Sequence, residues 1–200
     1  VSSDQNGSKV AVFKNTGSGL TLAPPIEYPA TDRPAGINLA DLDGDGDMDL
    51  LAASESLNGQ PGNSKISWFE NIDGQGTFGS EHILETNTYN HHRTIYLADI
   101  DGDDFTDIVS SELDSIKWYK NLNGTGNFSE IIIPQTFYPN IVETFVTDMD
   151  VDGINDIVVA HTFGISWLKN TDGSGNFSAA QIICEYEAFI SLYVADFNND

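Results

Sequence analysis

The stretch Asp41-Leu-Asp-Gly-Asp-Gly-Asp-Met-Asp49 sets five aspartates at alternate positions between two apolar runs. At neutral pH such carboxylates repel one another, and the crowding raises their pKa values unless another charge offsets it. The segment is either a solvated acidic turn or a cradle for a cation. The pattern recurs in register, opening at Asp41, Asp99, Asp148 and Asp196. Positions one, three, five and nine carry oxygen side chains. They are Asp41, Asp43, Asp45 and Asp49 in the first loop, Asp99, Asp101, Asp103 and Asp107 in the second, and Asp148, Asp150, Asp152 and Asp156 in the third. Asp196, Asn198 and Asp200 begin a fourth. Four carboxylates repeated in register have no other evident compensation, so a cation is the expected partner.

Calcium fits this donor set best. It takes six to eight oxygen ligands in a flexible shell, which four carboxylates, a water and a backbone carbonyl from position seven (Asp47, Phe105 or Ile154) would fill. Magnesium demands stricter octahedral geometry and keeps more waters. Transition metals favour His or Cys, and these loops contain neither. The loop is not an EF-hand: position twelve holds Ala52, Ser110 or Val159 rather than a bidentate Glu. Position six is Gly46 or Gly153, where the turn needs positive φ, and Asp104 in the second loop. Position two is always apolar (Leu42, Ile100, Met149, Phe197) and is expected to dip into the core.

The elements that must position these loops repeat as well. VAVFKN at Val10, ISWFEN at Ile66, IKWYKN at Ile116 and ISWLKN at Ile165 lie between them. Each is followed by a Gly-rich turn: TGSGL, DGQGTF, NGTGNF and DGSGNF. Three motifs in constant order mark a repeat of about fifty residues. Each repeat reads as four short strands, exemplified by residues 37–40, 50–53, 65–70 and 78–84, with no helical period between them. Four antiparallel strands per repeat is the blade of a β-propeller, an all-β fold. The expected blades are 1–30 (partial), 36–88, 94–137, 143–188 and 190–200 (partial). The preferred reading is a segment of a larger propeller with further blades or another chain beside it. The alternative is a four-bladed ring in which Ser191 to Ala195 completes the first blade.

The order DxDxDGxxD, apolar strand, WFEN-like strand, DGxGxF resembles the FG-GAP or VCBS repeat of integrin-α-like propellers, over essentially the whole chain. The resemblance implies a propeller, often seven-bladed, with calcium in the hairpin joining strands one and two of each blade. It also implies a secreted setting.

The remaining features set limits on partners. The chain has 200 residues, with 31 acidic against eight basic and a formal charge of −23. Such a chain is repelled by nucleic acid and anionic lipid. No apolar run reaches the roughly 18 residues of a membrane span, and Val1 starts mid-pattern with no charged-then-apolar leader in view, so any leader is expected to have been removed or to lie outside this sequence. Cys184 stands alone and is expected to be a buried thiol. Trp68, Trp118 and Trp167 repeat at one strand position and are expected to pack between blades, as is Val12 in the first. On the side of the blades away from the acidic loops, Arg33, His91, His92, Arg93 and His161 form a candidate ligand-binding patch, with Tyr138 nearby. The expected function is an extracellular calcium-binding recognition or adhesion module for a glycan or protein ligand. The competing reading is a catalytic domain of a secreted polysaccharide lyase or similar enzyme, with one of those histidines as base and Arg93 neutralising an acidic sugar.

Overall fold

A computed structural model describes residues 2–4, 9–17, 21–29, 33–55, 64–87, 94–112, 114–134, 140–185 and 192–195. The described residues contain strands and turns and no α-helix. The chain divides into two compact units, Val1–His92 and Arg93–Asp200.

In the first unit, β1 (Ser2–Asp4), β2 (Lys9–Val12) and β3 (Ile26–Pro29) form a three-stranded sheet. It is followed by a four-stranded sheet of β4 (Arg33–Ala40), β5 (Asp49–Glu55), β6 (Ser64–Asn71) and β7 (Phe78–Asn87). The second unit holds two further four-stranded sheets. One is β8 (Thr94–Ala98), β9 (Asp107–Ser111), β10 (Ile116–Asn121) and β11 (Phe128–Ile133). The other is β12 (Ile141–Thr147), β13 (Asp156–His161), β14 (Gly164–Leu168) and β15 (Gln181–Glu185). Within each sheet, consecutive strands pair antiparallel. These are the meandering blades of a β-propeller, as the sequence predicts.

The second strand of each complete blade is covered on both faces, which is why β5, β9 and β13 read as continuous apolar or small residues rather than as an alternation. The third strand shows the two-residue period. Phe69 packs with Val10, Leu50 and Phe78, and with the partly buried Val12, Tyr28 and Ile37, in the core of the first unit. Trp68 takes the other face of β6 and stacks on His82, with ring centroids 4.6 Å apart. In the second unit Trp118 joins Ile100, Val109, Ile116 and Ile133 of its own blade to Ile141, Ile157, Val159 and Leu168 of the next. The expected inter-blade role of this tryptophan is therefore observed. Burying such a side chain is worth on the order of 2–3 kcal/mol. The ring lies against Gly175 in the turn of the following blade, where a Cβ would collide with it. That contact accounts for one glycine of the DGSGNF motif.

Aromatic rings also meet in the second unit. Tyr96 and Phe145 lie 5.0 Å apart between centroids, and Phe145 and Tyr193 5.5 Å. Residues 192–195 form no strand, although Leu192 donates its N–H to Glu143 Oε2 at 2.5 Å. Cys184 is half-buried rather than buried, because β15 is the outer strand and exposes Ile182 and Ile183 beside it.

Candidate metal centres in the acidic hairpins

Each acidic loop joins the first and second strands of a blade and lies at the same end as the Gly-rich turn joining the third and fourth. The ninth-position aspartate sets the geometry. Asp49, Asp107 and Asp156 are fully buried at the first residue of β5, β9 and β13. One carboxylate oxygen of each accepts the N–H of position two: Leu42 at 2.9 Å, Ile100 at 3.1 Å and Met149 at 3.1 Å. The other oxygen accepts the N–H that opens the Gly-rich turn: Asn71 at 2.9 Å, Asn121 at 2.7 Å and Asn170 at 2.8 Å. One side chain thereby ties three strands together.

The same asparagines close a second clamp. Their side-chain amides donate to the carbonyl of position eight: Met48, Thr106 and Asn155, at 3.2, 3.2 and 3.3 Å. Sequence reasoning missed this role. Its signal was the asparagine that ends every WFEN-like motif. In the second unit the third hairpin also reaches the second, through Asn155 to the Asp99 carbonyl and Asn170 to the Ile100 carbonyl, both at 2.8 Å.

Within that frame the loop wraps around its first aspartate. Asp41 accepts N–H bonds from Gly44 and Gly46, Asp99 from Gly102, Asp103 and Asp104, and Asp148 from Asp152 and Gly153. The fifth-position carboxylates of Asp45, Asp103 and Asp152 accept from position seven. This winding needs left-handed backbone at position six, found at Gly46 (φ 92°), Asp104 (67°) and Gly153 (87°) as expected. Position four is left-handed too, at Gly44, Gly102 and Val151 (φ 63°). A β-branched residue is strained there.

The side chains then converge. Ligand atoms of Asp41, Asp43 and Asp45 lie within 4.8 Å of one another, as do those of Asp99, Asp101 and Asp107, and those of Asp148, Asp150 and Asp152. Each group could hold a metal ion. The donor set is all oxygen, and the buried Asp101 Oδ1 accepts no hydrogen bond. Burial, before the neighbouring Asp49 and Asp45 charges, pushes the Asp43 carboxyl up. Burial likewise raises Asp49 against the pull of its two N–H bonds, and drives Asp107 up to about 6. Negative charge is thus held here with incomplete compensation, the condition a cation relieves.

Other expected residues fall differently. Leu42 and Ile100 are buried as expected, but Met149 is 37% exposed, so position two does not always enter the core. The side chains of position seven (Asp47, Phe105, Ile154) lie over turn glycines Gly74, Gly124 and Gly173. Asp196, Asn198 and Asp200, with Phe197, lie outside the described residues, as do His91, His92, Arg93 and Tyr138. The backbone of Arg33 pairs with Glu55 at the far end of the blade. His161 is corrected: it is 1% exposed inside β13 rather than part of a surface patch. The Phe163 N–H donates to its Nδ1 at 3.2 Å, which leaves the proton on Nε2, 2.9 Å from Ser166 Oγ. Burial lowers its pKa, so the ring is held neutral within the sheet.

Comparison with known proteins agrees with this architecture. An Agrocybe aegerita lectin, solved for its specific recognition of non-reducing terminal N-acetylglucosamine, superposes with a TM-score of 0.61 at 22% identity. The alignment covers 88% of this chain and 46% of that one, so the chain spans under half the lectin's length. No curated protein matches. The FG-GAP-like repeat matches at residues 1–52, 55–110 and 148–200. With that repeat spread over most of its length, the chain belongs to the FG-GAP-like repeat family.

Proposed function

We propose that the chain is part of an extracellular, calcium-stabilised β-propeller that serves recognition, presenting a surface to a glycan or protein ligand. The observation that carries the calcium part is the convergence of three carboxylates in each of three equivalent hairpins. Asp41, Asp43 and Asp45 would hold one ion, Asp99, Asp101 and Asp107 a second, and Asp148, Asp150 and Asp152 a third. Bound calcium would supply positive charge where the fold crowds negative charge. The protein's own part is to fix the carboxylates through the ninth-position aspartate and the clamp asparagine. Extracellular modules are tuned to calcium at about 10⁻⁴–10⁻³ M.

The recognition part draws support from the family and from the lectin of similar fold. Fold does not dictate function, so the ligand is a matter for experiment. A glycan array probed in millimolar calcium, with N-acetylglucosamine-terminated and uronic-acid glycans included, tests it. Binding that is lost in EGTA is expected. Failure to retain any glycan or extracellular protein, or an unsaturated product absorbing in the ultraviolet from a uronic polymer, would overturn the recognition reading. Thermal melting tests the calcium part separately. At a calcium concentration tenfold above Kd one site adds about 1.4 kcal/mol, so the melting temperature should rise with calcium and fall in EGTA. An unchanged melting temperature would count against bound calcium.

A further inference from the structure

The residue before the clamp asparagine differs among the three complete blades. It is Glu70 in FEN, Lys120 in YKN and Lys169 in LKN. Both lysines reach back to the acidic hairpin of their own blade. Lys120 Nζ contacts Asp101 and lies 3.1 Å from Asp103 Oδ2. Lys169 Nζ contacts Asp150 and lies 2.7 Å from Asp152 Oδ2. In each case one ammonium bridges the third- and fifth-position carboxylates, which are candidate ligands. The groups are partly desolvated: the side chains of Lys120 and Asp101 are 27% and 10% exposed. Such pairs are screened far less than surface pairs.

The first hairpin has the opposite arrangement. Glu70 stands at the register position of Lys120 and Lys169, so this blade end gains a negative charge there instead of an ammonium. Asp41, Asp43, Asp45, Asp47, Asp49 and Glu70 therefore share one blade end with no lysine in that register position. In the second hairpin, Asp101 Oδ1 stays buried without a hydrogen bond even though Lys120 engages the other oxygen. The lysine thus leaves part of the donor set unanswered, and that site still has capacity for a ligand.

We propose that this position sets the cation preference of each hairpin: Lys120 and Lys169 are built-in cations that a metal ion must displace, whereas Glu70 leaves the first hairpin dependent on metal. The inference rests on the calcium reading above. It ranks the sites: the first hairpin binds calcium most tightly, and the second and third bind more weakly because each ion competes with an ammonium already in place. It also makes the first hairpin the one most disturbed by chelation.

Calcium titration by calorimetry at low ionic strength tests this on the 200-residue chain. The variants are Glu70→Lys, the double variant K120E/K169E, and Asp43→Asn to mark the first site. Circular dichroism confirms that each is folded, and K120M/K169M replaces the double variant if the added acids prevent folding. One tight class is expected in the unaltered chain, abolished by both D43N and E70K. The double lysine variant should tighten the weaker class roughly tenfold or more, the scale of a charge removed at contact distance. Uptake in which either arm fails to respond overturns the ranking and leaves calcium binding standing. No uptake at calcium on the order of 10 mM, above the weakest extracellular modules, overturns calcium binding itself.

Discussion

Strand β9 begins at one buried carboxylate, Asp107, and is followed by another, Glu112, and the two are held in contrasting ways. Asp107 is held by the backbone N–H groups of Ile100 and Asn121. Glu112 lies 3.1 Å from the Lys117 ammonium and accepts a hydrogen bond from Ser115 at 3.0 Å. Dipoles satisfy hydrogen bonding at Asp107 but leave net charge, and its pKa climbs to about 6. A full positive charge answers Glu112. Asp107 is therefore answered by dipoles alone, whereas Glu112 is answered by an ammonium.

Breaking the self-contained pair should have the largest effect. Lys117→Met strands Glu112, which is 1% exposed, and should cost about 3–5 kcal/mol in urea unfolding, while E112M/K117M together should recover most of the loss. A double variant as unstable as the single one would show that the lysine packs rather than neutralises.

At the other end of β9, Asp107→Ala orphans two buried N–H groups at about 1–3 kcal/mol each, so a loss of roughly 2–6 kcal/mol is expected. Calcium should not restore it, because the clamp itself is gone. Recovery in millimolar calcium would mean that the ion, not the carboxylate, organises the hairpin.

The comparison also has a pH signature. The folded pKa of Asp107 lies above its unfolded value, so the folded state binds the proton first as pH falls. In EGTA its contribution to stability should rise between pH 7 and 5, by about 1–1.5 kcal/mol, and level off below about pH 4. Asp73 and Asp172, lowered chiefly by side-chain hydrogen bonds from Thr77 and Asn176, act in the opposite sense. Their contribution is lost as pH falls through their lower folded values, so the windows separate. Unfolding free energies at pH 7 and 5 should show the slope in the unaltered chain and a shallower one in D107A, with Asp43 and Asp49 supplying what remains.

The smallest effect concerns winding rather than charge. Val151 stands at φ 63° where the other two hairpins have glycine. Val151→Gly removes left-handed strain of about 1–2 kcal/mol, and after the entropy cost of glycine the melting temperature should rise by about 2–4 °C. A fall would show that the exposed valine makes a contact worth more than its strain.

Much of this was legible before any coordinates. Asp43 and Asp45 announce a donor set by type and spacing, and Asp104 at φ 67° obeys the turn its alignment with Gly46 requires. Strand order followed from the recurring motifs because each motif carries its own local geometry. Asn71, Asn121 and Asn170 were visible as a repeat but not as clamps, since their partners at position eight are distant in sequence. His161 was misplaced because a histidine near a strand end looks the same whether it faces solvent or Ser166.

The sequence alone determined the period, the blade as its unit, and oxygen side chains at fixed loop positions, because turn chemistry and alternation act over a few residues. Only the folded chain decided which carboxylates became clamps, which met a lysine, and which remained short of positive charge. Those outcomes depend on what burial removes from water and on which distant backbone groups arrive opposite each side chain.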